Sequence, residues 1–123
     1  MRSLEAELEA LRGVFPGAHI ETVAGIGRVC VVPDVATGKA WEPPTTEIRF
    51  LIAQGYPQSK PDCFFSRPDL RLKSGATPQN ARPQRIGSSE YLWFSWHLRT
   101  WNPAADDLTR FARFCNGRLQ MDR

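Results

Sequence analysis

The sequence predicts an α+β domain built around an antiparallel sheet, and three observations carry that expectation. Apolar residues recur at helical spacing near both ends, as Leu4, Leu8, Leu11 and Phe15 and again as Leu108, Phe111, Cys115 and Leu119. Between them, β-branched and alternating runs read as strands. Glycine- and proline-bearing breaks separate those runs at short intervals.

Taken in order, Ser3 is a helix cap, and Glu5, Glu7 and Glu9 suit the positive end of the dipole of the helix that follows. Gly13 and Pro16 set its end. Strands are expected over 19–23 and 28–32, around the turn Ala24-Gly25-Ile26-Gly27. Pro33-Asp34 and Thr37-Gly38 punctuate a hairpin or loop. A third strand runs over 46–53, with Ile48, Phe50 and Ile52 alternating against Glu47, Arg49 and Leu51. The prolines of Gly55-Tyr56-Pro57-Gln58-Ser59-Lys60-Pro61 exclude regular structure, and an extended run resumes at Cys63, Phe64 and Phe65. From about 66 to 89 the chain is polar and basic and reads as one long loop. Tyr91 to Trp101 is rich in aromatics. Asn102-Pro103 is expected to open the last helix, with Asp106 and Asp107 in its first turn.

The length of 123 residues fits a single domain, 1–123, of about four strands with a helix at each end. No apolar run approaches the roughly 20 residues of a membrane span, and the acidic N-terminus does not resemble a signal peptide, so no membrane association and a cytoplasmic location are expected. Cys30, Cys63 and Cys115 are an odd number and widely spaced, with no C-x-x-C or Cys/His cluster, so neither a disulfide framework nor a metal or cofactor motif is read. A net charge of +3 is too mild to select a partner.

Three features in fixed order give the chain a family resemblance. The alternating strand Ile48-Arg49-Phe50-Leu51-Ile52 runs into Gly55-Tyr56-Pro57. The decapeptide from Tyr56 to Phe65 keeps the spacing of a Tyr-Pro, a proline pair and a closing Phe, with Lys60 in place of the first proline of the pair. Trp101-Asn102-Pro103 then precedes an amphipathic helix. In these features the chain resembles the ubiquitin-conjugating enzymes over about residues 45–120, and in its brevity the bacterial group called family E. The resemblance implies a ubiquitin-conjugating-like α+β fold, with a four-stranded meander and the last helix packed on it. It also implies a place in a bacterial ubiquitin-like modification pathway, with a ubiquitin-like protein and an activating-enzyme homologue as partners.

The family's chemistry rests on a thiolate that accepts the modifier as a thioester. In the family that cysteine lies eight residues before the Trp of Trp-x-Pro, and this chain has Trp93 there. The family's His-Pro-Asn is also missing, and Arg71-Leu72-Lys73 occupies about its place. The substitute candidates are Cys63, which borders the long loop, and Ser95 with His97, which an extended strand would turn to one face. Against them stand bland readings: each cysteine as a small core hydrophobe, and His97 as a residue bonded among aromatics to hold the loop. Trp93 and Trp96 are divided between core and contact surface, and Arg71, Lys73, Arg82 and Arg85 form a basic patch. Three functions follow: a pathway component acting by protein–protein binding, which is the preferred one; an active conjugating enzyme with a relocated nucleophile; and, less expected, a nucleic-acid-binding protein using the basic loop.

Overall fold

The computed structural model describes residues 3–123; Met1 and Arg2, at the start of the expected single domain, lie outside the described residues. Helix α1 spans Leu4–Arg12, and the Ser3 hydroxyl accepts from Ala6 N at 3.1 Å, as its cap requires. Leu11 is fully buried, and Leu4, Leu8 and Phe15 pack beside it. Glu7 does more than complement the helix dipole. It is buried, accepts from the Tyr56 hydroxyl and also accepts from Leu108 N at 3.1 Å, joining the first helix to the last.

Strands β1 (His19–Val23), β2 (Gly27–Ala36), β3 (Trp41–Glu42), β4 (Thr45–Ile52), β5 (Phe64–Ser66), β6 (Arg71–Leu72), β7 (Ala81–Ile86) and β8 (Ser89–Phe94) follow. The main sheet has the order β1-β2-β4-β5-β8-β7 with every neighbour antiparallel, and β3 pairs with β6 in a small second sheet. Pro33-Asp34 does not end β2 as expected. Between Val32 and Val35 the register shifts, with Asp34 at φ 56, so the pair is absorbed as a bulge.

The strand count is larger than the four expected, and the difference falls in the stretch read as loop. Residues 71–72 form β6, and 81–86 form β7, which pairs with β8 from Ala81↔Phe94 to Ile86↔Ser89. Gly87 and Ser88 are left as a two-residue turn, with Gly87 at φ 62, the left-handed conformation such hairpins need.

Helix α2 covers Leu108–Arg118. It begins five residues after the expected Pro103, because Asp107 supplies the cap, accepting from Arg110 N at 2.9 Å. Asn102 to Asp106 instead form a closed turn, in which Asp106 accepts from Asn102 N at 2.7 Å and Asn102 accepts from Ala104 N at 3.0 Å. The core lies between the helices and one sheet face, where Phe50 meets Phe111 edge-on at 4.8 Å and Phe64 stacks on Phe94 at 4.6 Å. On the opposite face Val29, Val31 and Phe65 are buried in a smaller cluster roofed by Tyr91 and Trp93.

Candidate functional site

The two proline motifs meet in space. Trp101 Nε1–H donates to Pro57 O at 2.8 Å, the Trp101 and Tyr56 rings lie 6.0 Å apart, and Lys60 Nζ donates to Leu98 O. Cys63 N donates to Trp96 O at 3.2 Å. The segment before β5 and the segment after β8 are thus laced together. Their register explains this: Phe64 pairs with Phe94, so chain positions just before 64 and just after 94 must run side by side.

That crossing assembles four polar side chains. Ser95 Oγ lies 3.2 Å from His97 Nε2, and His97 Nδ1 lies 2.6 Å from Asp62 Oδ1. Cys63 Sγ lies 3.9 Å from the same Nδ1. An ionised carboxylate only accepts, so facing Asp62 fixes the proton of neutral imidazole on Nδ1 and leaves Nε2 as an acceptor toward the Ser95 hydroxyl. Nucleophile, base and orienting carboxylate stand in the order that acyl-transfer chemistry uses. His97 and Asp62 are more than half exposed, so the group is open to a protein substrate.

The cysteines differ sharply in setting. Burial pushes the Cys30 thiol up to about 12 and the fully buried Cys115 well above its ordinary value. Cys63, at φ 61 and buried, is also raised, first by burial and further by the Asp62 charge; hydrogen bonds from the Trp96 backbone and the Ser95 side chain oppose the rise.

Ser95 sits where two grooves join. One, of about 580 Å³, is bordered by Asn80, Trp96, His97, Arg99, Arg110 and Phe114. The other, of about 320 Å³, is bordered by Asn80, Arg82 and Trp93. Asn80, at φ 59, accepts from Ser95 N at 2.8 Å through its carbonyl. Its neighbour Gln79 is pinned from below: buried Arg118 donates through Nη2 to Gln79 O at 2.8 Å, and its guanidinium stacks over Trp41, Phe94 and Trp96 at 5.2–5.6 Å.

The other sequence candidates are dispersed. Trp93 and Trp96 are each half-buried, on different sides: Trp96 stacks on Phe114 at 6.1 Å beside the main core, and Trp93 on Phe65 at 5.8 Å on the outer face. The basic residues form no single loop patch. Arg71 pairs with Glu42 at 2.9 Å and lies with Lys73 by the small sheet, whereas Arg82 and Arg85 belong to edge strand β7, Arg85 pairing with Glu90 at 3.3 Å. Sequence reasoning missed Asp62 and Asn80. No sequence pattern pointed to Asp62, because only the pairing of the Phe64-Phe65 run with the aromatic strand carries 62 and 63 toward 95–97.

A helix, a meander sheet continued by a hairpin, a Tyr-Pro turn docked on a Trp-x-Pro segment and a final helix define a protein of the ubiquitin-conjugating-enzyme class. The model of prokaryotic E2 family E matches residues 16–122, and the chain belongs to that family. No curated protein and no solved structure matches it. Among the described residues, no helix is long and apolar enough to cross a membrane.

Proposed function

We infer that this chain is a conjugating component of a bacterial ubiquitin-like modification pathway, and that it accepts the modifier's C-terminal acyl group on Ser95 as an oxygen ester. The observation that carries this reading is the line Asp62–His97–Ser95, with contacts of 2.6 and 3.2 Å at an open surface. Ser95 Oγ attacks the carbonyl carbon of a thioester presented by an activating enzyme, and His97 Nε2 takes the hydroxyl proton. The C–S bond breaks and the activating enzyme's sulfur leaves with a proton. Asp62 holds the imidazole in the useful tautomer and steadies the imidazolium. Asn80, beside Ser95 in both grooves, is the amide best placed to face the developing oxyanion. Cys63 is a weaker nucleophile here because its thiol is nearly buried and its ionisation is opposed.

The test is incubation of the chain with its cognate activating enzyme, modifier and ATP. An adduct that survives thiols, yields to hydroxylamine and disappears in Ser95→Ala is expected. A thiol-sensitive adduct lost in Cys63→Ala would overturn the assignment in favour of the buried cysteine.

A second reading, binding without a covalent step, is favoured by the outer sheet face. There Trp93, Leu51 and Ile26 border an apolar groove of about 470 Å³ flanked by Arg82 and Arg85, a composition suited to a protein contact. Tight association with the modifier or activating enzyme, with no adduct under any condition, would select it.

A further inference from the structure

The side chains of Asp62, Cys63 and His97 offer one oxygen, one sulfur and one nitrogen, all within 4.8 Å of one another. We propose that these three residues bind a zinc-type divalent metal ion, and that its binding switches Ser95 off. The ligand chemistry selects the ion class. A thiolate and an imidazole favour zinc and its borderline-soft neighbours over magnesium or calcium, which seek oxygen.

The spacing suits a tetrahedral centre. Bond lengths of about 2.3 Å to sulfur and about 2.0–2.1 Å to nitrogen and oxygen place S and N about 3.6 Å apart, and N and O about 3.3 Å apart. Cys63 Sγ and His97 Nδ1 are already at 3.9 Å. Asp62 Oδ1 must retreat from 2.6 Å, which its exposed side chain can do by rotation. The nearly buried sulfur lies beneath the exposed carboxylate and imidazole, so an ion enters from solvent and keeps its fourth position for water. The chain bend at Cys63, with φ 61, and the crossing of the 62–63 and 95–97 segments build the site, which is why no spacing motif announces it.

Binding has a fixed proton balance. The Cys63 thiol loses its proton to solvent as the metal–sulfur bond forms. The metal takes His97 Nδ1, so the proton of the neutral ring moves to Nε2. His97 then donates to Ser95 Oγ and has no lone pair with which to accept the hydroxyl proton. Nucleophile activation stops while the fold stays intact.

The binding half stands on the three side chains alone; the silencing half rests on the Ser95 reading. Zinc is titrated into the purified chain against a chromophoric chelator, and cobalt(II) is used as a spectroscopic substitute. One equivalent is expected, with a thiolate-to-cobalt charge-transfer band. Affinity should fall at least tenfold in Cys63→Ala and in His97→Ala, each checked for native circular dichroism, and stay within twofold in Arg85→Ala on the edge strand. Absence of binding, or binding indifferent to both substitutions, overturns the site. For silencing, saturating zinc should slow ester formation at least tenfold, a chelator should restore it, and ester formation in Cys63→Ala should no longer respond to zinc. Zinc bound through these ligands with unchanged ester formation overturns the silencing half, whereas a chain that binds zinc and forms no ester under any condition contradicts only the Ser95 reading.

Discussion

At the scale of single residues, the position matching the family's cysteine and the serine proposed here as nucleophile are two apart. Trp93 is turned to the outer face and stacks on Phe65, whereas Ser95 lies past the end of β8 beside His97. The facing of Ser95 and His97 was legible, because residues two apart on extended chain share a side. The Asp62 partner was not, since it lies 35 positions from His97 and meets it only through strand pairing. Asp62→Asn tests its role. The amide can donate to Nδ1 and so favours the wrong tautomer, and ester formation on Ser95 should fall by roughly 10²-fold with stability little changed, read from single-turnover rates and a thermal melt. The cysteines give a second prediction. Burial raises all three thiols, so each holds less thiolate at neutral pH than an exposed cysteine. Mass-spectrometric mapping after iodoacetamide should find Cys30 and Cys115 protected in the native chain, and Cys63 modified slowly at neutral pH and faster as the pH is raised. Rapid labelling of Cys63 at pH 7 would contradict its raised value.

At the scale of elements, the strongly periodic ones were legible and the others were hidden for identifiable reasons. Helix α1 and strands β1 and β4 fall where apolar spacing put them, within a residue or two. Strand β7 escaped because Pro83 sits in it and its outward residues are polar; a proline is tolerated there because β7 is the sheet's edge. The start of α2 was misplaced because Pro103 and Asp107 are competing start signals, and the Asn102–Asp106 turn uses the proline. Glu7 is the element-scale contact that no pattern announces: one carboxylate serves the Tyr56 hydroxyl and the first N–H of α2. Glu7→Ala removes a buried acceptor from both, and should cost about 2–3 kcal/mol in urea unfolding, with Glu7→Gln costing less because an amide oxygen can still accept. A loss below about 0.5 kcal/mol would mean that water replaces the carboxylate freely.

At the scale of the whole molecule, the sheet is two-sided: its inner face carries the helices and its outer face a smaller apolar cluster, while the proposed nucleophile lies at the strand ends, away from that outer face. Charge is arranged to match. The net +3 is spread, and the cations expected to form one basic patch are divided between the small sheet and the edge strand, with Arg67 paired to Asp69, Arg71 to Glu42 and Arg85 to Glu90. Binding to a polyanion requires several cations to neutralise successive phosphates, and each such contact steepens the salt dependence by about 0.7–0.9 in log–log slope. A divided and partly neutralised set can engage no more than about two or three phosphates at once. Binding to generic single-stranded RNA should therefore be weak, with a slope shallower than about 2, measured by fluorescence anisotropy from 50 to 200 mM salt. Aromatic stacking would not rescue it, because Trp93 is packed on Phe65 and Trp96 on Phe114. A slope near 6 would instead require the two basic groups to act as one surface, and would raise the nucleic-acid reading above the two protein-modification readings.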